Sequence, residues 1–147
     1  MALALTESEL RRLLANVAFT RGYGFRLRAI DDGECTLEVP FQADFERPGG
    51  IVSGQVFMAA ADVAMWLAIK TRSGLDDGSV TVSLQSSFLR SARHEDVVCR
   101  ARVTRAGSRL SHGTAECVRV DGEILTQHSL IYARPGQGPD DAPTAAT

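Results

Sequence analysis

Residues 49–72 read "GGIVSGQVFMAAADVAMWLAIKTR", and this stretch decides the fold. From 56 to 69 it is apolar except for one carboxylate, Asp62. A bilayer span needs about 20 such residues, so the run is too short to cross a membrane and reads as a buried helix of a soluble protein. Ser53 is a good N-cap, and Lys70 and Arg72 fall in the last turn with Gly74 beyond. The helix is hydrophobic nearly all round, so something must enclose it. Ala59, Ala60, Ala61, Ala64 and Ala68 keep it thin enough for close approach.

Asp62 needs an explanation. Burying an isolated carboxylate costs several kcal/mol, so Asp62 must be paired, exposed in a cleft, or protonated. A carboxylate beside apolar surfaces can serve as a base. It can equally be a structural aspartate, hydrogen-bonded across a subunit contact. The residues alone leave both readings open.

The enclosure comes from the rest of the chain. "TESELRRLLANVAF" opens with the capping-box pattern Thr6-x-x-Glu9 and predicts an amphipathic helix over 6–18. "GFRLRAI" and "ECTLEVPF" alternate apolar and polar residues around "DDG" and predict a hairpin. A loop follows at 43–52. After the long helix come four strands, "SVTVSLQSSFLR", "DVVCRARVTR", "RLSHGTAECVRV" and "EILTQHSLIYA". In the first of these, Val80, Val82, Leu84 and Phe88 should share one face, and Thr81, Ser83, Gln85 and Ser87 the other, facing solvent or a polar subunit contact. The order predicts an α+β domain, a curved antiparallel sheet wrapped around a long central helix. One domain spans 1–134, with 1–20 as helix and lead-in. Residues 135–147, rich in Pro, Gly and Ala, should be a disordered tail.

Composition fits this plan. The chain has 147 residues, 44% hydrophobic and 23% charged, enough for a core without disulfides or metal. A net charge of −2 gives no bulk attraction to nucleic acid. Cys35, Cys99 and Cys117 are odd in number and widely spaced, so they read as buried small hydrophobes in a reducing cytoplasm. No secretory signal is visible. His94, His112 and His128 lack metal-ligand spacing, and no cofactor motif is present. His94 reads as loop, and the other two as strand surface or sheet packing.

The start of the long helix is a second candidate. Its first backbone N–H groups have no intrahelical partner and, with the helix dipole, favour an anion or a polarised carbonyl oxygen. Gly54 lets a ligand approach that backbone closely. "GIVSG" lacks the glycine two residues before Ser53 that a serine-hydrolase elbow requires, so Ser53 reads as a cap.

"RPGGIVSGQVFMAAADVAMWLAI" followed by "VTVSLQSSFLRSA" resembles the hotdog-fold acyl-CoA thioesterases of the phenylacetate-degradation and 4-hydroxybenzoyl-CoA type. The resemblance covers residues 20–134. It implies a hotdog fold and hydrolysis of an acyl-CoA thioester. Asp62, in "AADVAM", takes the general base or nucleophile role, and the Gly54 N–H polarises the thioester carbonyl. Thr81 matches a Ser or Thr often found at the start of the following strand, placed to orient Asp62 or its water. The usual His-Gly-Gly is Ser53-Gly54-Gln55 here, and an asparagine often found upstream is Arg47. Ser53, Gln55, Arg47, Phe57 and Met58 are candidate substrate contacts. Arg90 and Arg109, with Arg93 and Arg105, are candidates for the phosphates of coenzyme A.

Ser53 and Asp62 lie nine residues apart, about 13 Å along a helix. That is too far for one active site in one chain. Asp62 should therefore meet Gly54 of a second copy, giving a homodimer with two shared sites. The sequence leaves open whether two dimers stack into a tetramer. A hotdog protein that binds an acyl ligand without hydrolysing it is the alternative. A dehydratase would need a histidine paired with an acid, and the sequence puts none near this helix.

Overall fold

A computed structural model describes residues 3–135. Helix α1 (Glu7–Asn16) starts with the expected capping box: Thr6 accepts from the Glu9 N–H, and Glu9 reaches back to the Thr6 N–H. It stops earlier than expected, because Val17 is extended (ψ 118°), and a short turn α2 (Ala18–Arg21) follows. Strands β1 (Arg26–Asp31) and β2 (Glu34–Val39) form the hairpin. The loop holds a two-residue ribbon, β3 (Glu46–Arg47) with β4 (Ile51–Val52). Helix α3 (Gly54–Ser73) is followed by β5 (Val80–Phe88), β6 (Val97–Ala106), β7 (Leu110–Arg119) and β8 (Ile124–Ala133). The tail expected at 135–147 lies, from 136 on, outside the described residues.

The six long strands form one antiparallel sheet in the order β1-β2-β6-β7-β8-β5. Its inner face presents Cys35, Leu37, Cys99, Ala101, Ala115, Cys117 and Leu130, all buried against α3. The period-2 alternation of each strand produces this face directly. The three cysteines are free and buried, as their flanking patterns suggested. Ala60, Ala61, Ala64 and Ala68 have no exposed surface, which is how α3 comes so close to the sheet. Gly113 on β7 serves the same end: a Cβ there would sit 2.2 Å from Met65 Cε. The outer face is polar, with cross-strand pairs Arg100–Glu116 (2.6 Å) and Arg102–Glu34 (3.2 Å). Ser83, Gln85 and Ser87 belong to this outer face, opposite Ile131, Ser129 and Gln127 of β8.

One strand departs from the simple alternation. The pairing of β5 with β8 shifts register between Thr81 and Ser83, so Val82 is a bulge. The extra residue turns Thr81 to the inner face, opposite Tyr132, while Leu84 stays opposite Leu130. Thr81 therefore does not share a face with Ser83, Gln85 and Ser87 as strict alternation predicts. β5 is also the edge of the sheet, paired on one side only. Val80, Val82 and Phe88 remain 59%, 55% and 52% exposed.

Candidate active site

Helix α3 is enclosed except along one stripe. Gln55 is exposed, and Met58, Ala59, Asp62 and Trp66 are half-buried; every other residue from 56 to 71 is buried. Asp62 sits in the middle of this stripe. It is thus neither buried alone nor fully solvated, which resolves the cost of placing a charge in an apolar helix.

Its hydrogen bonds are asymmetric. Thr81 Oγ1 donates to Asp62 Oδ1 at 2.8 Å, and the Tyr132 hydroxyl donates to the same oxygen at 2.6 Å. The Tyr132 hydroxyl also lies 2.9 Å from the main-chain carbonyl of Asp62. Among the described residues Oδ2 has no hydrogen-bond partner. Burial, and then the adjacent Asp62 carboxylate, push the Tyr132 phenol well above the usual tyrosine range.

The other end of the stripe is the helix start. The Ser53 N–H donates to Phe45 O (2.8 Å), and Ser53 O accepts from the Val56 N–H (3.1 Å). Among the described residues the Gly54 N–H has no acceptor, as expected at a helix N-terminus. Ser53 occupies the N-cap position but makes no side-chain cap; its hydroxyl donates instead to the Gln55 side-chain carbonyl. The capping bond expected of Ser53, in which Oγ accepts from a first-turn N–H, is thus absent; the hydroxyl is turned to the Gln55 side chain instead. The Phe88 ring lies on Gly54, so close that an added Cβ would meet Cε1 at 3.0 Å. Arg93 braces the preceding loop by donating to Gly49 O (2.7 Å).

The fold thus brings Asp62 and Thr81 together, adds Tyr132, and keeps Gly54, Ser53 and Gln55 as a separate group. Met58 lies on the open stripe. Phe57 turns into the core, 3% exposed, on the side of α3 facing the sheet. Arg47 is exposed on β3; Arg90, beyond β5, pairs with Glu123 (3.4 Å). Arg109 lies in the β6–β7 turn, its carbonyl accepting from the Arg134 N–H (2.7 Å). No group of residues fit to hold a metal is found among the described residues.

Tyr132, near the site, was not singled out from the sequence, and His128 was read only as strand surface or sheet packing. Tyr132 is distant in the chain and reaches Asp62 only through the β5–β8 pairing. His128 lies on the inner face of β8, 3% exposed. Its Nδ1 is 2.7 Å from Ser86 Oγ and its Nε2 2.8 Å from Thr126 Oγ1, and Phe88 stands edge-on to its ring. The packing role read for His128 is the one it has, and the Phe88 ring stands between it and Gly54 at the start of α3. Among the described residues its side-chain partners are the Ser86 and Thr126 hydroxyls and the Cys117 thiol, and no acid is paired with it.

Known proteins agree with this architecture. The Thioesterase superfamily model matches residues 49–126. The "Putative esterase" of Thermoplasma volcanium is 30% identical over 118 residues, covering 80% of this chain and 86% of that protein. A conserved protein of Pseudomonas aeruginosa, PA5202, superposes with a TM-score of 0.79 at 27% identity, covering 84% of this chain and 98% of that one. The Escherichia coli PaaI protein, from the phenylacetic acid degradation operon, gives 0.79 at 17% identity, covering 88% and 92%. The fold is the hotdog expected from the sequence.

Proposed function

The chain belongs to the thioesterase superfamily, hotdog-fold hydrolases of esters and thioesters, and from that premise we propose that it cleaves an acyl-CoA thioester to free coenzyme A and a carboxylic acid. The observation that carries the proposal is the Asp62 carboxylate. It is the charged residue on the open stripe of an apolar helix, with one oxygen held by donors and the other, among the described residues, without a partner. Thioester hydrolysis needs a base for water, or a carboxylate that attacks to give a mixed anhydride. Asp62 takes that role, and Thr81 orients it. The reaction also needs donors where the oxyanion develops, which the Gly54 N–H supplies.

The two groups meet across a dimer. Thr81, at one end of β5, touches Asp62; Phe88, at the other end, lies on Gly54. A second copy paired antiparallel along the free edge of β5 exchanges these ends. Asp62 of one chain then faces Gly54 of the other. The apolar, half-exposed edge supports this pairing, because such an edge is a template for another strand. Ser53, Gln55 and Met58 line the shared cleft, with Phe57 behind it, and Arg47, Arg90 and Arg109 serve the coenzyme A phosphates. The buried free cysteines suit a reducing cytoplasm.

Release of free thiol from short, medium and aryl acyl-CoA esters tests the proposal. Turnover is expected, with Asp62→Asn slower by about a hundredfold or more. An undiminished rate in Asp62→Asn overturns the mechanism. Coenzyme A ester binding with no thiol release makes the chain an acyl-ligand-binding protein instead, the reading that Ser53 in place of histidine favours.

A further inference from the structure

We propose that Tyr132 is a positioning residue that makes Oδ2 the reacting oxygen of Asp62. This rests on the thioesterase reading and goes beyond it, because Tyr132 lies on the last strand, 70 residues from Asp62 in sequence.

Oδ1 receives Tyr132 Oη at 2.6 Å and Thr81 Oγ1 at 2.8 Å. An oxygen that accepts two short, charge-assisted bonds has its lone pairs engaged and its position fixed. Oδ2 keeps its lone pairs for a water molecule or a thioester carbon. Thr81 alone would leave the carboxylate free to rotate about the Cβ–Cγ bond and exchange its oxygens. Two donors from different strands, β5 and β8, remove that freedom.

The second contact of Tyr132 explains why a tyrosine does this work. Its hydroxyl also lies 2.9 Å from the Asp62 main-chain carbonyl. That oxygen belongs to the α3 backbone, so the phenol is located by the helix itself and not only by the side chain it orients. Tyr132 is buried, its ring clamped between sheet and helix. A site held in this way meets its transition state without reorganising first.

The same geometry keeps the hydrogen-bond count constant during reaction. While Asp62 is ionised, the phenolic proton points to Oδ1. When Oδ2 takes a proton from the attacking water, or bonds to the acyl carbon, negative charge leaves the carboxylate. The phenolic proton then turns to the main-chain carbonyl. No proton leaves Tyr132, and its hydroxyl keeps an acceptor throughout.

The experiment compares wild type, Tyr132→Phe, Asp62→Asn and the double variant in acyl-CoA hydrolysis, with melting temperature measured beside each. The expected result is a kcat about tenfold lower in Tyr132→Phe, with KM within about threefold. In the Asp62→Asn background, Tyr132→Phe should lower the residual rate no further, because its effect passes through Asp62. A purely structural role would slow both backgrounds alike, and that result overturns the proposal. So does an unchanged kcat in Tyr132→Phe. If Tyr132→Phe does not fold, Tyr132→Leu and Tyr132→Met remove the hydroxyl without overfilling the buried site, and the same comparison decides. A wild type active on acyl-CoA, strongly slowed by Asp62→Asn and unaffected by Tyr132→Phe leaves the thioesterase reading standing and removes only this one.

Discussion

Phe88 lies directly on Gly54, its Cε1 3.0 Å from where a side chain at Gly54 would begin. On the proposed mechanism, the residue whose N–H a substrate must reach is therefore roofed by a half-exposed ring. Gly54→Ala adds a methyl between that N–H and its ligand and pushes the ring aside. Alanine is a good helix former, and Phe88 can shift, so melting temperature should change by only a few degrees. Acyl-CoA hydrolysis should fall about tenfold or more. Adding Phe88→Ala removes the clash, and a rate still fully depressed would place the harm in the methyl alone.

The separation of Asp62 from Gly54 within one chain leads to a complementation test. Asp62→Asn and Gly54→Val chains should each retain only about a hundredth of the activity or less alone. Mixed under conditions that exchange subunits, they should form hybrids with one doubly damaged site and one intact site. The mixture should recover up to about a quarter of wild-type activity. Recovery of none, with exchange verified by mass, would mean that both groups act within one chain.

Thr81 donates to Asp62 through a hydroxyl that the Val82 bulge turns inward. Thr81→Val keeps the shape and removes the donor. Its kcat should drop about three- to tenfold. Thr81→Ser restores the donor and should restore most of the rate. Equal losses in both variants would point to packing rather than the hydrogen bond.

Tyr132 offers a direct reading by its own titration. Burial, and then the Asp62 charge, disfavour its phenolate, so the phenol ionises above the usual range near 10. Asp62→Asn removes the charge but not the burial. In a Tyr23→Phe background, the ultraviolet titration of Tyr132 should move to lower pH in Asp62→Asn yet stay above the ordinary range. The sign for stability follows. The folded chain holds this proton more tightly than the unfolded one, so the contribution is complete below about pH 10 and is lost as pH rises above it.

The cysteines should be silent. Cys35, Cys99 and Cys117 are buried; burial pushes the Cys35 thiol up to about 12, while the hydrogen bond from Cys99 holds the Cys117 thiol low, so Cys117 is kept from reagents by its inaccessibility. A disulfide reagent at pH 8 should titrate none of them in the native protein and all three after denaturation. Rapid native labelling would show that the sheet opens on the time scale of the assay.

Much of this was legible in the chain. The capping box of Thr6 and Glu9, the hairpin around "DDG" and the two periods of hydrophobicity are local signals, and they formed the elements they specified. The limits of α1, the bulge at Val82 and the bond from Ser53 to Gln55 were not legible. Each depends on a competition between nearby hydrogen bonds or strand registers that residue type does not decide.

What the sequence determined by itself is that a nearly all-apolar helix carries one carboxylate and begins at an open glycine, because the hydrophobic effect and the orphan N–H groups of a helix start are properties of local sequence. Only the tertiary structure decided how the carboxylate is held. Tyr132 and Thr81 converge on one oxygen of Asp62 because β5 and β8 pair across a bulge that shifts their register. His128 came to lie beside Phe88 at the helix start by the same pairing. Contacts of that kind are set by register between strands far apart in the chain, where one added residue turns a side chain from the solvent to the core.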